Sequence, residues 1–288
     1  MKKRLVSVVL SAVMCVAMLA GCGSDSSTAT GGSSAAVSAE ASSAGTEASS
    51  EGGLLASIKE SGKLVVGTAS GYAPYEFVDV ETQQIIGIDM ELAKAIADEL
   101  GVELEIQDMV FSSLLSSLPA HKIDLAIAGI APTDERKKTM DFSDSYLFAT
   151  QSILILKEDA GTYQTLESFK GQPMAAQKST TQEALIQELL PESPLTSLDK
   201  VPDCILELKN GKVEGVAIES IVGQQYVIAN DDIQFADATF DRKKETAIAL
   251  EKGNEDLLEI VNKVIQENIA NGNFDKWVEE YSTKAANN

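Results

Sequence analysis

An arginine stands at a position where the sequence predicts the start of a helix. The apolar run IDLAIAGI predicts a buried strand, and APTDER follows it, with Thr133 suited to cap a helix and Arg136 three residues later. Backbone N–H groups at a helix N-terminus favour an anion, and a guanidinium can bind a carboxylate through two parallel hydrogen bonds. Arg136 is therefore a candidate carboxylate-binding residue. The alternative is a surface arginine that pairs with Asp134, Glu135 or Asp141.

A second predicted junction between a strand and a helix has similar chemistry. In MAAQKSTTQEAL, Thr180 and Glu183 have the spacing of a capping box, which leaves backbone N–H groups and the Thr181 hydroxyl facing outward. Further along, the apolar run VEGVAIES ends with Glu219, whose carboxylate can pair with an ammonium group. The alternatives are a capped helix with no other role and a solvated acid at the end of a strand.

Two aromatic residues add apolar surface to this set. Tyr72 lies in SGYAPYEF, after the first predicted strand, and Phe111 begins the predicted helix FSSLL. Each either lines an apolar pocket or belongs to the core. A carboxylate-binding arginine, an acceptor for an ammonium and apolar walls together form the complement of a zwitterionic amino acid.

The segments around these residues alternate between strand and helix patterns. KLVVGTA (63–69), GIDMELAKAIADELG (87–101), VELEIQDM, FSSLLSSLPAHK and IDLAIAGI form a β-α-β-α-β run, which predicts a parallel sheet with helices packed on it. A second set runs from QSILILK to VEGVAIES, and the periodic NEDLLEIVNKVIQENIANG predicts a helix near the end. In open α/β sheets ligands bind beyond the carboxyl ends of the strands, where both junctions are expected.

The first 53 residues predict export and a tether. MKKR, the apolar stretch 5–20 and the small residues before Cys22 are typical of a signal peptide, residues 1–21, which is too short to span a membrane. Of the 31 residues from 23 to 53, 26 are Ser, Thr, Gly or Ala. Residues 22–53 therefore cannot bury enough apolar surface to fold, and we expect a flexible tether.

Composition argues against several classes of protein. The 44 acidic and 23 basic residues give a net charge of −21, and such a chain repels nucleic acid. Beyond the leader and Cys22, Cys204 is alone, so no internal disulfide is expected. The single histidine, His121, argues against a zinc site, and the glycine motifs of phosphate, dinucleotide and esterase sites are absent. We expect neither a metal nor a cofactor.

The sequences of these segments and their order along the chain resemble those of a known protein family. GYAPYEF, IIGIDMELAKAIADELG and FSSLLSSLPAHKIDLAIAGIAPTDERKKTMDFSDSYL are similar to the extracellular solute-binding proteins of polar amino-acid ABC transporters. ETAIALEKGNEDLLEIVNKVIQENIANGNFDKWVEEYS resembles the closing segment of that family, so that the resemblance covers nearly everything from Leu54 onward. LAGC resembles the bacterial lipobox, which implies cleavage before Cys22 and a lipid on its sulfur.

The resemblance implies a role for each charged or hydroxyl-bearing candidate. Arg136 matches the arginine that binds the ligand α-carboxylate. Thr180 and Thr181 match residues of the second lobe that donate hydrogen bonds to the same carboxylate. Glu219 matches a position that usually carries Asp, which binds the α-ammonium group.

It also implies roles for residues without charge. Gly129 and Ala131 match positions that offer main-chain groups to the α-amino and carboxylate groups, where family members often have serines. Tyr72 and Phe111 match aromatic residues on either side of the ligand side chain. Ala69 stands where members that bind basic amino acids carry an acid, which weakens a lysine or arginine assignment without excluding one.

The implied architecture is a two-lobed, periplasmic-binding-protein-like α/β fold of type II with two crossing hinge strands. Lobe 1 would comprise residues 54–148 and 247–288, and lobe 2 residues 149–246. The crossings are expected near residues 147–151 and 244–249. A ligand that touches both lobes stabilises the closed state more than the open one.

The expected function is that of a monomeric binding protein, anchored by a lipid to the outer face of the cell membrane. It would capture a small amino acid by hinge closure and deliver it to the permease of an ABC transporter, without being an enzyme. The alternative is an exported dehydratase on the same fold that acts on cyclic carboxylic acids, with Glu219 as its general acid or base. A sensor domain is a third reading, and it would need a downstream membrane span.

Overall fold

The structure is a computed structural model that describes residues 53–288. The predicted signal peptide, Cys22 and the tether up to residue 52 lie outside the described residues. Between residues 53 and 288, no helix combines the length and the apolar character that crossing a bilayer requires.

The described residues form an alternating α/β chain. Its strands are β1 (Lys63–Thr68), β2 (Phe77–Val78), β3 (Ile85–Ile86), β4 (Glu103–Asp108), β5 (Leu125–Ala126), β6 (Met140–Phe142), β7 (Leu147–Leu156), β8 (Met174–Gln177), β9 (Leu195–Leu198), β10 (Gly215–Glu219), β11 (Ile233–Phe235), β12 (Lys243–Thr246) and β13 (Ala249–Glu251). Its α-helices are α1 (Leu54–Ser61), α2 (Ile88–Leu100), α3 (Phe111–Ser117), α4 (Thr181–Leu189), α5 (Val201–Lys209), α6 (Ser220–Ala229), α7 (Glu255–Ala270) and α8 (Asn273–Ala286).

The first sheet has the strand order β4-β1-β5-β13-β6. Strand β1 pairs in parallel with β4 and with β5, as the β-α-β-α-β pattern predicts. Strand β13 returns late in the chain and pairs antiparallel with both β5 and β6. The sheet is therefore mixed, and its last two strands, β6 and β13, pair residues such as Phe142 and Ala249 that lie far apart in the sequence.

The second sheet has the order β11-β7-β10-β8-β9, and β12 also pairs with β7. Strand β8 is parallel to β9 and β10, whereas β7 runs antiparallel to β10, β11 and β12. The β7–β12 pairing places Lys244 opposite Ala149 and Thr246 opposite Leu147. These residues belong to the two segments where crossings between lobes are expected, and the lobe boundaries themselves remain a prediction.

Helix α2 shows how local sequence sets an element. Ile88, Leu92 and Ile96 recur at helical spacing, and all three are buried. Gly101 ends the helix in the left-handed conformation, and its N–H donates to the carbonyls of Ala97 and Asp98. The amphipathic pattern and the glycine stop therefore suffice to predict this helix.

Two elements next to the candidate site differ from expectation. The run IDLAIAGI is a strand only at Leu125–Ala126, because the chain turns at Gly129, whose φ is +55°. The helix expected after Thr133 is a single 3-10 turn, Arg136–Lys138, although the Thr133 hydroxyl does accept a hydrogen bond from the Arg136 N–H at 3.3 Å. The turn stops there because Met140–Phe142 pairs with β13, and sheet pairing overrides the local helical signal.

Gly87 is a position where the fold accepts only glycine. Its φ is +139° with ψ of 178°, and an added Cβ would lie 2.1 Å from the carbonyl oxygen of Tyr75. That carbonyl accepts a hydrogen bond from Asp89, so it cannot move away without loss. This close contact between the backbones of Gly87 and Tyr75 packs the loop that carries Tyr72 against the start of α2.

We expect Gly87→Ala to lower the free energy of unfolding by about 3 kcal/mol or more. The cost of a positive φ in alanine and the cost of the overlap between its Cβ and the Tyr75 backbone add to each other. Gly101→Ala is the matched control, because Gly101 also has a positive φ but no atom lies within 4 Å of its added Cβ. That control should cost about 1–2 kcal/mol. Urea-unfolding curves measure both free energies of unfolding, and an equal decrease in the two variants would contradict the close approach at Gly87.

Candidate ligand-binding site

A cavity lies between elements of the first and second sheets. Its walls are the loop after β1, the start of α3, the turn that follows β5, the β8–α4 junction and one residue of β12. The free space inside it is about 10 Å³, room for about one water molecule, so its walls lie close together in this structure. The lining residues are Ala69, Tyr72, Glu76, Phe111, Ala128, Gly129, Ala131, Arg136, Gln177, Thr180, Thr181, Gln182 and Lys244.

The cavity brings together most of the residues singled out by sequence. Those that line it are Ala69, Tyr72, Phe111, Gly129, Ala131, Arg136, Thr180 and Thr181. Glu219 is not among the lining residues. Tyr72 and Phe111 are both buried, so each is at once a core side chain and part of the cavity wall.

Arg136 connects the two strand-to-helix junctions. Its Nη1 donates to the carbonyl oxygen of Ala131 at 2.9 Å, and its Nη2 donates to that of Ser179 at 3.0 Å. The guanidinium carbon lies 5.5 Å from the centre of the Phe111 ring, which adds a cation–π contact. Burial lowers the Arg136 pKa to about 10, which leaves the group charged at neutral pH.

The guanidinium has no carboxylate partner among residues 53–288. Glu135 pairs with Lys138, and Asp141 lies 3.9 Å from the Lys252 ammonium. The interpretation of Arg136 as a surface residue paired with a neighbouring acid is therefore wrong. A partly buried cation bound only by neutral carbonyls leaves positive charge available to an anion in the cavity.

The β8–α4 junction supplies hydrogen-bonding groups on the opposite wall. The Thr180 hydroxyl caps α4 by accepting from the Glu183 N–H at 3.3 Å, and it donates to the Gln177 carbonyl at 2.6 Å. The Glu183 carboxylate accepts from the Ser179 N–H at 2.7 Å, so the capping box closes one residue earlier than predicted. The N–H groups at the start of α4 point toward the cavity end of the helix.

Sequence reasoning missed the glutamines that organise this wall. Gln151 Nε2 donates to the Thr181 hydroxyl at 3.2 Å, and Gln182 Nε2 donates to Gln151 Oε1 at 3.0 Å. Gln177 donates to the Asp199 carbonyl at 3.0 Å. These side chains come from β7, β8 and α4, and no local pattern indicates that they meet.

Glu219 faces an ammonium that belongs to the protein. It lies at the end of β10 with its side chain 0% exposed, and it forms an ion pair with Lys244, whose side chain is 4% exposed. The Lys244 Nζ lies 5.2 Å from the centre of the Tyr72 ring and 5.5 Å from that of Tyr75. Lys244 lies in the charged run DRKKE, where only the alternating exposure of a strand could have indicated a buried lysine.

Two further acids lie buried at the cavity, Glu76 in its wall and Asp89 outside its lining. Asp89 accepts from the Gly129 N–H at 2.7 Å and from the Tyr146 hydroxyl at 2.7 Å. Burial raises its pKa to about 6, against the opposing effect of these hydrogen bonds. Glu76, 1% exposed, lines the cavity, and burial and the nearby Asp89 carboxylate raise its pKa well above its usual range. Its Oε2 receives no hydrogen bond from the described residues.

We call Glu76, Asp89, Glu219 and Lys244 the acid cluster. Three carboxyl groups face one ammonium, so the cluster retains negative charge unless protons or another cation neutralise it. No group of His, Cys, Asp or Glu side chains in the described part of the chain is arranged as a metal site. The cavity is thus polarised, with Arg136 on one side and the acid cluster on the other.

Removing either partner of the Lys244–Glu219 pair should be costly, because it leaves a buried charge uncompensated. We expect Glu219→Gln and Lys244→Met each to lower the free energy of unfolding by about 3–5 kcal/mol. The double variant should lose clearly less than the sum, since it removes both charges. Losses below about 1 kcal/mol for each single variant, measured by urea unfolding, would contradict a charged pair.

The chain is similar to several known proteins. The Arginine-binding extracellular protein ArtP of Bacillus subtilis is 38% identical over 231 residues, 78% of this chain and 88% of that protein. The L-arginine-bound crystal structure of the ABC transporter substrate-binding protein AbpA from Streptococcus pneumoniae is 40% identical. It superposes with a TM-score of 0.78 over 80% of this chain and 99% of its own.

A third relative bears on the enzyme alternative. The ancestral amino acid-binding protein AncCDT-1, described as a precursor of cyclohexadienyl dehydratase, is 31% identical with a TM-score of 0.73, over 79% of this chain and 98% of its own. The expected two-lobed α/β fold is confirmed by these solved structures. Residues 64–284 match the family described as bacterial extracellular solute-binding proteins, family 3. The chain belongs to that family.

Proposed function

We propose that this protein is the amino-acid-binding component of an ABC transporter and that its ligand is L-arginine. The observation that carries the proposal is the polarised cavity. Among residues 53–288, the guanidinium on one side pairs with no carboxylate, and the buried acid on the other side has one oxygen without a hydrogen bond. The arginine-binding relatives at 38% and 40% identity support the same ligand.

The carboxylate end of the ligand would bind at Arg136. Two of the guanidinium donors contact carbonyls, and the remaining donors have no partner in the described part of the chain, so they could form a charge-assisted pair with the ligand. The first N–H groups of α4 lie on the facing wall and would donate to the same anion. The Thr181 hydroxyl, which donates to Gln182 Oε1 in the structure, would join them by rotating toward the anion. The ligand carboxylate would in this way connect the two sides of the cleft.

The cationic end would bind at Glu76. Ala69 provides no acid, which weakens an arginine assignment made from sequence, but Glu76 lines the same cavity with one oxygen free of hydrogen bonds. Tyr72 and Phe111 would pack against the aliphatic part of the side chain between the two ends. A guanidinium at Glu76 would offset part of the negative charge of the acid cluster.

Closure of the cleft would trap this ligand. The walls belong to both sheets, so a bound ligand stabilises the state in which they approach. We place the lobes at residues 54–148 with 247–288 and at residues 149–246, joined through the paired strands β7 and β12. The permease would then recognise the closed form.

The cellular setting follows from the N-terminal sequence and the family. The family is extracellular, and the lipobox-like LAGC supports a lipid on Cys22 that anchors a monomer to the outer face of the membrane. We propose that the protein is not an enzyme, because Glu219, the acid a dehydratase would use, is paired with Lys244 and does not line the cavity. Incubation with prephenate should therefore give no turnover.

Calorimetric titration of the purified protein with L-arginine tests the ligand. We expect saturable one-to-one binding, and weaker or no binding of L-glutamine and L-cystine. Arg136→Ala should weaken L-arginine binding by about 2–5 kcal/mol, since it leaves the carboxylate unpaired in a closed cleft. Lys138→Ala is the control, because it removes an exposed cation two residues away and should leave the affinity unchanged. Unchanged affinity in Arg136→Ala would remove this residue from the site.

Binding of a cation next to Glu76 should be linked to protons. The raised pKa of Glu76 means that the ligand-free protein binds protons there more readily, and an adjacent guanidinium lowers that pKa. The complex then holds fewer protons, so the affinity for L-arginine should fall as the pH is lowered. Titrations in buffers of different ionisation enthalpy measure the released protons. Glu76→Gln should bind more weakly and with a flatter pH profile; an unaltered profile would contradict this role.

A further inference from the structure

We propose that Asp89 is a positioning residue for ligand binding, because its carboxylate holds a turn of the cavity wall in a fixed relation to the paired strands β7 and β12. Asp89 does not line the cavity. It acts on the ligand through Gly129 and Tyr146, which both donate hydrogen bonds to it. The inference rests on the proposed function, since the ligand whose affinity it concerns is L-arginine.

The first support is that the two oxygens of the Asp89 carboxylate bind different segments of the chain. Oδ2 accepts from the Gly129 N–H in the turn after β5, and Oδ1 accepts from the Tyr146 hydroxyl directly before β7, both at 2.7 Å. The Asp89 N–H also donates to the Tyr75 carbonyl at 3.0 Å, in the loop that carries Tyr72. Asp89 is 0% exposed, and a buried carboxylate is costly to leave without its donors. These bonds therefore fix three segments relative to one another.

The second support is that the Gly129 turn contacts groups of the ligand site. A Cβ added to Gly129 would lie 3.0 Å from the Tyr72 ring, so the turn packs directly against that part of the cavity wall. Two residues further on, the Ala131 carbonyl accepts from Arg136 Nη1 at 2.9 Å. A displacement of the turn would therefore move both the Tyr72 wall and the carbonyl that orients the guanidinium.

The third support is that Tyr146 is itself firmly held beside the strand pair. Its N–H donates to the carbonyl of Thr246, the last residue of β12, at 2.9 Å. Its side chain is buried, and its ring stacks on that of Phe274 in α8 with 5.4 Å between the centroids. The Tyr146 hydroxyl is thus a fixed donor, and Asp89 connects the cavity wall to the strands through which we place the junction of the lobes.

Calorimetric titration of L-arginine into the full-length protein and its variants tests this role. Asp89→Ala removes both hydrogen bonds and should weaken binding by about 30-fold or more, because small displacements of binding groups are costly. In Asp89→Asn the amide oxygen can accept from the Gly129 N–H while the amide N–H donates to the Tyr146 oxygen. That conservative variant should therefore bind L-arginine within about fivefold of the wild type.

Two results with these variants would overturn the inference. One is an unchanged affinity in Asp89→Ala. The other is a loss in Asp89→Asn as large as that in Asp89→Ala, which would show that the charge of Asp89 matters and its hydrogen-bonding geometry does not.

Tyr146→Phe provides a second arm, and it retains a measurement if Asp89→Ala does not fold. It removes one hydroxyl and should weaken L-arginine binding by about fivefold or more. Tyr163→Phe is the matched control, because the Tyr163 hydroxyl also donates to a carboxylate, that of Glu214 at 2.8 Å, and Tyr163 does not line the cavity. Urea unfolding should show a loss of stability in both variants, whereas the affinity should fall only in Tyr146→Phe. An unchanged affinity in folded Tyr146→Phe would overturn the inference.

The wild-type titration separates this inference from the proposed function. Absence of L-arginine binding to the wild type would overturn the proposed ligand, and the inference with it. Saturable binding to the wild type with the same affinity in all the variants would overturn the inference alone.

Discussion

The guanidinium of Arg136 is the interaction on which the arrangement of this cleft depends. It donates to the Ala131 carbonyl on its own loop and to the Ser179 carbonyl at the β8–α4 junction. One rigid, planar donor group thereby spans the two places where strands of different sheets end near a cavity. The neutral carbonyls accept hydrogen bonds from the guanidinium but do not neutralise its positive charge. That charge is therefore available to an anion in the cleft.

The acid cluster is the electrostatic counterpart. Its carboxyl groups are buried together with a single lysine, and such crowding is stable only when protons, hydrogen bonds or cations reduce the repulsion. Each carboxyl group meets that requirement differently. Asp89 accepts from Gly129 and Tyr146, Glu219 pairs with Lys244, and Glu76 remains the acid that faces the cavity. Glu76 and Glu219 each keep one buried oxygen without a hydrogen bond from residues 53–288, and of the two Glu76 lines the cavity.

Local signals predicted elements well where no other segment competed for the same residues. Helix α2 follows from the apolar spacing of Ile88, Leu92 and Ile96 and from Gly101. The helix expected after Thr133 failed because pairing of Met140–Phe142 with β13, more than 100 residues away, takes the chain into a sheet. A short-range pattern cannot register a partner at that distance. The strand at Leu125–Ala126 is short for a local reason, the turn at Gly129.

The sequence by itself determined the alternation of strands and helices, the strand-to-helix junctions and the residues Arg136 and Thr180 that mark them. Those features follow from the spacing of apolar residues and from capping residues, which act within a few positions of the chain. Only the tertiary structure decided the partners of the charges: that Arg136 pairs with no carboxylate among residues 53–288, that Lys244 neutralises Glu219 and that Glu76 reaches the cavity. The physical reason is that charge pairing depends on distance and burial in three dimensions, and neither is encoded in the spacing of residues along the chain.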